Sequence, residues 1–342
     1  MQLSWQTYRI NCTHPFGLSR GTTEYYDILY VYLSGEGIIG RGEAAPSKRY
    51  DESTNSIVEV LDGGIDIPSS DDILESWETG LTAQAQGIKA LESALSMAAL
   101  DWWCQRDGIA LHTFFDAEKE HTPLTSYTVA IGDIEHIPQK IEEAKPYSII
   151  KVKLGTDQDK DIINAVRECT DKPLRVDANE GWTLEQGIEM CGWLSERNIQ
   201  FVEQPLPADA LDETSVLREE SPLPILADEN SLKSEDIPEI AYAFDGINIK
   251  LMKCGSLFEA KRMIDSAREH DLQIMLGCMV ESSIGVTAAA HLSPLVDFAD
   301  LDGNLLISND PYTGVGVEKG KLVLPDGNGL GSALREETEG LK

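Results

Sequence analysis

From about residue 125 to residue 302 the chain repeats one pattern: a short apolar run, a polar corner, an amphipathic stretch, then the next apolar run. Apolar runs occupy residues 125–131, 148–154, 174–177, 199–203, 225–228, 246–251, 273–277 and 298–302, with helical periodicity between most of them, as at 157–169, 183–198 and 256–270. Short runs rich in β-branched residues and bounded by turn residues read as strands. Strands that alternate with helices pair in parallel, because each crossover returns the chain to its starting edge. Eight of them at this spacing indicate a closed barrel. An open doubly wound sheet is the competing arrangement, disfavoured because no Gly-rich phosphate loop follows the first strand. Ahead of the barrel, residues 25–33 (YYDILYVYL) and 38–43 flank the turn Ser34-Gly35-Glu36-Gly37 and read as an antiparallel hairpin. Residues 71 to about 106 read as helical, with Ala90, Leu91, Ala94, Leu95, Ala98 and Leu100 at three-to-four spacing.

Charge narrows the function. The 342 residues include 59 acidic and 28 basic ones, a net charge of −31. That argues against nucleic acid and anionic membranes as partners, since both are bound through basic patches. No apolar run approaches the roughly 20 residues needed to span a bilayer. The opening Met1-Gln2-Leu3-Ser4-Trp5 lacks the basic and apolar regions of a secretory signal, so a cytoplasmic location is expected. Cys12, Cys104, Cys169, Cys191, Cys254 and Cys278 include no C-x-x-C pair and read as reduced, mostly buried thiols. A homo-oligomer is left open. A chain this acidic repels an anionic substrate overall, so the site for one must be locally positive.

The polar residues gather at strand ends, where a parallel barrel carries its chemistry. Strand two ends in Lys151-Val152-Lys153-Leu154-Gly155, strand three in Asp177-Ala178-Asn179, strand four in Glu203-Gln204-Pro205 and strand five in Asp228-Glu229; strand six carries Lys250, and strand eight carries Asp300-Leu301-Asp302. Lys151 and Lys153 share one face, opposite Ile150, Val152 and Leu154. The apolar set packs against helices, which points both lysines inward. Neighbouring ammonium groups disfavour each other's charge, so Lys151 is expected to lower the pKa of Lys153 toward that of a general base. Asp177, Glu203 and Asp228 follow three successive strands. Each alone could be a helix N-cap; three converging carboxylates instead call for a cation, and an all-oxygen set suits Mg²⁺ or Mn²⁺ rather than zinc or copper.

The ordered series KVKLG, VDANEGW, FVEQP, ADEN, INIKLMKCG and DLDGN, with Gly42-Glu43-Ala44-Ala45-Pro46 near the N-terminus, resembles the enolase superfamily. Within it the chain is most similar to the muconate-lactonizing-enzyme-like branch and its dipeptide epimerases, in particular those acting on L-Ala-D/L-Glu. The resemblance implies an α/β fold: a modified TIM-type (β/α)7β barrel over residues 119–315, under an α+β capping domain of residues 1–118 completed by 316–342. It implies one Mg²⁺ per site held by Asp177, Glu203 and Asp228, with Mn²⁺ able to substitute. Lys153 and Lys250 match an acid/base pair on opposite faces of the substrate, and Lys253 is the alternative to Lys250. One lysine removes the α-proton and the other returns a proton from the opposite side, while the metal stabilises the enediolate.

Asp300 and Asp302, two apart on a strand, share a face, and in dipeptide epimerases such a D-x-D receives the ammonium of the N-terminal residue. Asn179 is assigned with them to the substrate. Ring-forming and dehydrating relatives have no ammonium to bind. No histidine stands at the end of strand seven, where Gly277-Cys278-Met279-Val280-Glu281-Ser282 is found, so sugar-acid dehydration is disfavoured. Arg20 matches a cap-loop arginine that pairs with the substrate side-chain carboxylate in glutamate-using members. The resemblance therefore implies an isomerase that epimerises L-Ala-L-Glu from murein peptides. Epimerisation of other dipeptides or racemisation of N-acylamino acids stays open. So does a barrel that binds an anionic metabolite and Mg²⁺ without turnover, although binding alone needs no pair of opposed lysines.

Overall fold

A computed structural model of the chain describes residues 1–18, 21–68, 73–336, 338 and 340–342. Its first part is an antiparallel sheet of β1 (Gln2–Leu18), β2 (Gly21–Gly35) and β3 (Ile38–Ala44), followed by α1 (Thr54–Asp62), α2 (Leu74–Thr82) and α3 (Lys89–Asp107). The expected hairpin is β2 and β3. β1 was not singled out from the sequence because its polar, Asn- and Pro-containing run lacks clean alternation. The expected continuous helix is interrupted: α2 passes into a 3₁₀ turn at Ala83–Ala85, and Gln86 and Gly87, with φ of 54° and 82°, reverse the chain before α3.

Helix α3 lies flat on β3 because both surfaces are small. A Cβ on Gly40 or Gly42 would stand well inside van der Waals contact with the carbonyl oxygens of Ala98 and Ala94. Gly42→Ala should therefore push the helix off the sheet and cost about 1–3 kcal/mol, read as a lower urea midpoint; an unchanged midpoint would show that the contact is not tight.

The barrel consists of β4 (Ser126–Val129), β5 (Ile149–Lys153), β6 (Leu174–Asp177), β7 (Ile199–Glu203), β8 (Ile225–Ala227), β9 (Gly246–Ile249), β10 (Gln273–Gly277) and β11 (Phe298–Asp300), each parallel to the next. It closes through the Thr125–Ala299 bridge and the Leu301 N–H, which donates to Thr125 Oγ1 at 2.9 Å. A helix fills each connection, from Ile137–Glu143 to Ser283–Ala290. Ile150, Val152, Leu174, Val176, Ile247, Ile249, Ile274 and Leu276 are fully buried on the outward face beneath the helices, as the alternation of strand residues requires. The inward face is layered. Phe201, Leu226, Met275 and Phe298 form an apolar floor, and the Arg175 guanidinium lies 5.4 Å and 5.2 Å from the Phe201 and Phe298 ring centres. Two residues further along stand Asp177, Glu203 and Asp300, with Asp228 just past the end of β8.

Five strands are shorter than expected, and in three of them the difference falls on site residues. β8 stops at Ala227; β9 stops at Ile249, leaving Lys250 as the N-cap of the short helix Leu251–Cys254; β11 stops at Asp300. Asp302 is thus past its strand and does not share a strand face with Asp300. The turn into the next element begins earlier than apolar content suggests.

The cap is tied to the barrel mouth. Between Asn11 and Phe16 β1 leaves register with β2 and bonds to the barrel side instead, through Thr13 N to Leu306 O at 2.8 Å and Ser308 N to Asn11 O at 2.9 Å. Further along, Ile131 N donates to Gly17 O at 3.0 Å. Beyond the barrel, β12 (Tyr312–Thr313) pairs with β15 (Ala333–Leu334), and the Tyr312 and Tyr32 hydroxyls lie 2.9 Å apart. The hairpin of β13 (Gly316–Glu318) and β14 (Lys321–Val323) meets the entry to β4, where Thr125 N donates to Gly320 O at 2.9 Å. Among the described residues no helix is long and apolar enough to cross a membrane. No cysteine is paired: Cys104, Cys191 and Cys254 are buried, Cys12 and Cys278 half-buried, and Cys169 exposed.

Candidate active site

Asp177 ends β6, Glu203 ends β7 and Asp228 follows β8. One carboxylate oxygen from each lies within 4.8 Å of the others, and all three residues are buried. Lysines stand around them. Lys153 Nζ is 2.7 Å from Asp177 Oδ2. Lys151 Nζ is 3.0 Å from the same oxygen, 2.6 Å from Glu203 Oε2 and 2.6 Å from Asp300 Oδ2. From the other wall Lys250 Nζ reaches Asp228 Oδ2 at 2.7 Å. Strands β5 and β9 are four apart in an eight-stranded ring, so Lys153 and Lys250 face each other across the triad. Lys253 does not compete for this place: its side chain is fully buried and its ammonium is committed to Asp228 Oδ1, Asp228 O and Asn248 O.

The charges are mutually dependent. Burial alone would raise the Asp177 carboxyl, but Lys153 and Lys151 outweigh it and hold it below its ordinary value. Lys250 and Lys253 likewise overcome burial and keep Asp228 well below its own. Glu203 goes the other way: burial first and then Asp177 push it up to about 7. Glu203 is thus the corner whose charge the lysines compensate least. Three converging carboxylates, an all-oxygen donor set, fit a hard divalent cation.

Beside Lys151 the structure places three anions that the sequence did not bring to it. Burial opposes the charge on Lys151, but Asp300, Glu203 and Asp177 outweigh it and raise its pKa well above the usual value. It is a fixed cation among three anions, and Asp177 Oδ2 serves both lysines as counter-charge.

Both acids of the D-x-D pair are buried against β4. Asp300 Oδ1 accepts the Ser126 hydroxyl at 2.6 Å, and Asp302 Oδ2 accepts Thr128 N–H at 2.6 Å. Burial and then Asp300 push Asp302 up to about 7. Asn179 is buried at the mouth with φ of 44°, its N–H donating to Asp177 Oδ1 at 3.0 Å. Arg20 lies outside the described residues.

Several supporting side chains were not foreseen. Asn248 donates to Glu203 Oε1 at 2.7 Å; it stands two residues before Lys250, so the strand period could have found it. Gln204 Oε1 accepts Asp228 N–H at 2.9 Å, and its Nε2 donates to Asn230 Oδ1 at 2.7 Å. From the cap, Arg49 makes a double contact with Glu180 at 2.9 Å and 3.0 Å. No local signal in the sequence marks that pair.

A second acid pair joins cap and barrel. Glu43 of β3 accepts Ser282 N–H at 2.8 Å, the Ser282 hydroxyl, and Gly285 N–H at 3.0 Å, at the start of the helix Ser283–Ala290. Glu281 stands beside it. Burial pushes Glu43 up to about 7 against these three donors. Burial and then Glu43 push Glu281 higher still, up to about 8; three donors reach Glu43 and, among the described residues, only Met279 N–H, at 2.7 Å, is seen to reach Glu281, so the shared proton favours Glu281. A carboxyl raised on folding contributes stability that is complete below about pH 4.5 and is lost as pH rises through its folded value. Wild-type Tm should fall between pH 5 and pH 9, and Glu281→Gln, which copies the protonated form, should remove a part of that fall on the order of a few kcal/mol. Parallel Tm curves for the two proteins would contradict this placement of the proton.

A capped (β/α)7β barrel, with strand-end carboxylates between lysines on facing walls, defines a narrow class of protein. The family described as Enolase C-terminal domain-like matches residues 136–338. The L-Ala-D/L-Glu epimerase of Bacteroides thetaiotaomicron is 37% identical over 338 residues, covering 97% of this chain and 87% of that protein. A hydrophobic dipeptide epimerase of a Flavobacteria bacterium is 33% identical over 355 residues, covering 98% and 99%. The crystal structure of the dipeptide epimerase from Cytophaga hutchinsonii complexed with Mg and the dipeptide D-Ala-L-Val matches with a TM-score of 0.90 at 28% identity, covering 98% and 96%. The chain belongs to the enolase superfamily, among its dipeptide epimerases, and is an isomerase.

Proposed function

We propose that this isomerase is a Mg²⁺-dependent dipeptide epimerase that inverts the α-carbon of the C-terminal residue, with L-Ala-L-Glu and L-Ala-D-Glu as its substrate pair. The observation that carries the proposal is the facing of Lys153 and Lys250 across the carboxylate triad. Asp177, Glu203 and Asp228 would hold the ion, which when bound supplies the charge that stabilises an enediolate of the substrate carboxylate. Lys153 and Lys250 exchange roles with direction: one takes the α-proton, and the other delivers a proton to the opposite face. Two walls are needed because a single base returns the proton to the face it came from. Lys151, fixed in its charged form, suits the holding of a carboxylate. The near-complete burial of all these groups keeps bulk water from the carbanionic centre.

The acids Asp300 and Asp302 favour a substrate with a free ammonium. Preference for glutamate rests on the match of Arg20 and on the name of the Bacteroides relative. The Flavobacteria relative supports a second reading, a preference for hydrophobic dipeptides. The proposal extends to a cytoplasmic enzyme with one ion per site and Mn²⁺ able to replace Mg²⁺. Chiral chromatography after incubation with L-Ala-L-Glu, L-Ala-L-Leu and N-acetyl-L-Glu, each with Mg²⁺ or with EDTA, decides among these. Epimerisation of L-Ala-L-Glu ahead of the others, and only with Mg²⁺, is expected. Faster turnover of L-Ala-L-Leu moves the specificity, and turnover of N-acetyl-L-Glu alone overturns the dipeptide assignment.

A further inference from the structure

The two acids of the D-x-D pair have different surroundings. Both oxygens of Asp300 are engaged, Oδ1 by the Ser126 hydroxyl and Oδ2 by Lys151 Nζ, each at 2.6 Å. Ser126 Oγ is in turn 3.4 Å from Arg175 Nη1, and Arg175 is itself fixed by Gln200 Oε1 at 2.9 Å and by Ala299 O. A buried line of polar groups thus runs from the barrel floor through Arg175, Ser126, Asp300 and Lys151 to Asp177 and Glu203, and none of its members is more than 4% exposed. Asp302 is off this line, past the end of its strand, held through one oxygen by Thr128 N–H.

Lys151 has three anionic partners, and two of them are the carboxylates that would hold a metal ion. An ammonium and a divalent cation placed there compete for the same charge. A buried ammonium without a counter-charge is costly, so Lys151 can release Asp177 and Glu203 only if Asp300 keeps it. We propose that Asp300 is a positioning residue: it retains Lys151 and so frees the triad for Mg²⁺, a task that Asp302, held on Thr128 N–H, does not share. This rests on the epimerase reading given above.

The test is calorimetric titration of the full-length protein with MgCl₂ alone, on wild type, Asp300→Asn, Asp302→Asn and Ser126→Ala, with folding checked by circular dichroism. Asp302→Asn is the same substitution in the same motif, off the Lys151 line, and controls for a general disturbance of the strand end. Loss of one charge-assisted contact predicts that Asp300→Asn weakens Mg²⁺ binding by about tenfold or more, while Asp302→Asn stays within about threefold of wild type. If Asp300→Asn does not fold, Ser126→Ala, which loosens Asp300 without altering its charge, should still weaken binding by about threefold. With Mg²⁺ saturating, Asp302→Asn should raise KM for L-Ala-L-Glu but not for N-acetyl-L-Ala-L-Glu, whereas Asp300→Asn should affect the two alike. Equal Mg²⁺ affinity in wild type and the Asp300 and Ser126 variants overturns the inference, as does an Asp300→Asn defect confined to the free-amine dipeptide. Absence of Mg²⁺ binding by wild type would sink the metal-dependent reading itself.

Discussion

Replacing either Lys153 or Lys250 with alanine is expected to lower epimerisation by about 10²–10⁴-fold in both directions. The loss should be symmetric in rate but not in chemistry. With Lys250 gone, Lys153 still faces one side of the α-carbon, so one diastereomer should exchange its α-proton with solvent without inverting. With Lys153 gone, the other diastereomer should do so. The split follows from the placement of the two ammonium groups, on Asp177 and Asp228 respectively, at strands four apart in the ring. Proton NMR of each pure diastereomer in D₂O reads it directly. A variant that exchanged both diastereomers, or still inverted at the parent rate, would mean that a single group serves both faces. Lys253→Ala should not reproduce either pattern, because its ammonium is enclosed by Asp228 and Asn248.

Glu203→Gln should abolish Mg²⁺-dependent activity, by about 10³-fold or more. Glu203 is fully buried, with Oε1 accepting from Asn248 Nδ2 at 2.7 Å and Oε2 at 2.6 Å from Lys151 Nζ. An amide in that place must aim its NH₂ at one of two donors, and it removes one of the three charges a cation would meet. Wild type should be stabilised by about 2.7 kcal/mol at a Mg²⁺ concentration 100-fold above Kd. In the variant, added Mg²⁺ should leave Tm unchanged. A variant that is inactive yet gains as much Tm from Mg²⁺ as wild type would place the ion elsewhere and Glu203 in another role.

The barrel was legible because its signal is periodic. Ile150-Lys151-Val152-Lys153 states in four residues that one face is apolar and the other charged, and a parallel strand covered by helices leaves the charged face nowhere to go but inward. The triad was legible for a related reason, since each acid ends one βα unit and the units have similar length. What failed was the extent of strands: Lys250 and Asp302 stand beyond β9 and β11 because the corner begins before the apolar content ends. The surroundings of Lys151 were not legible either, since Glu203 and Asp300 are brought to it from strands far along the chain. The Arg49–Glu180 contact and the Glu43–Glu281 pair join cap to barrel across long separations, and nothing local announces either.

The central step of the proposed reaction is transfer of a proton from the α-carbon of the C-terminal residue to solvent-exchangeable lysines at a Mg²⁺ site. Proton NMR of L-Ala-L-Glu in D₂O with wild-type enzyme measures it. With Mg²⁺ the glutamate α-proton signal should disappear while L-Ala-D-Glu accumulates carrying deuterium at that carbon, and EDTA should stop both. An α-proton that persists with Mg²⁺ present, or that exchanges equally well in EDTA, would contradict the account.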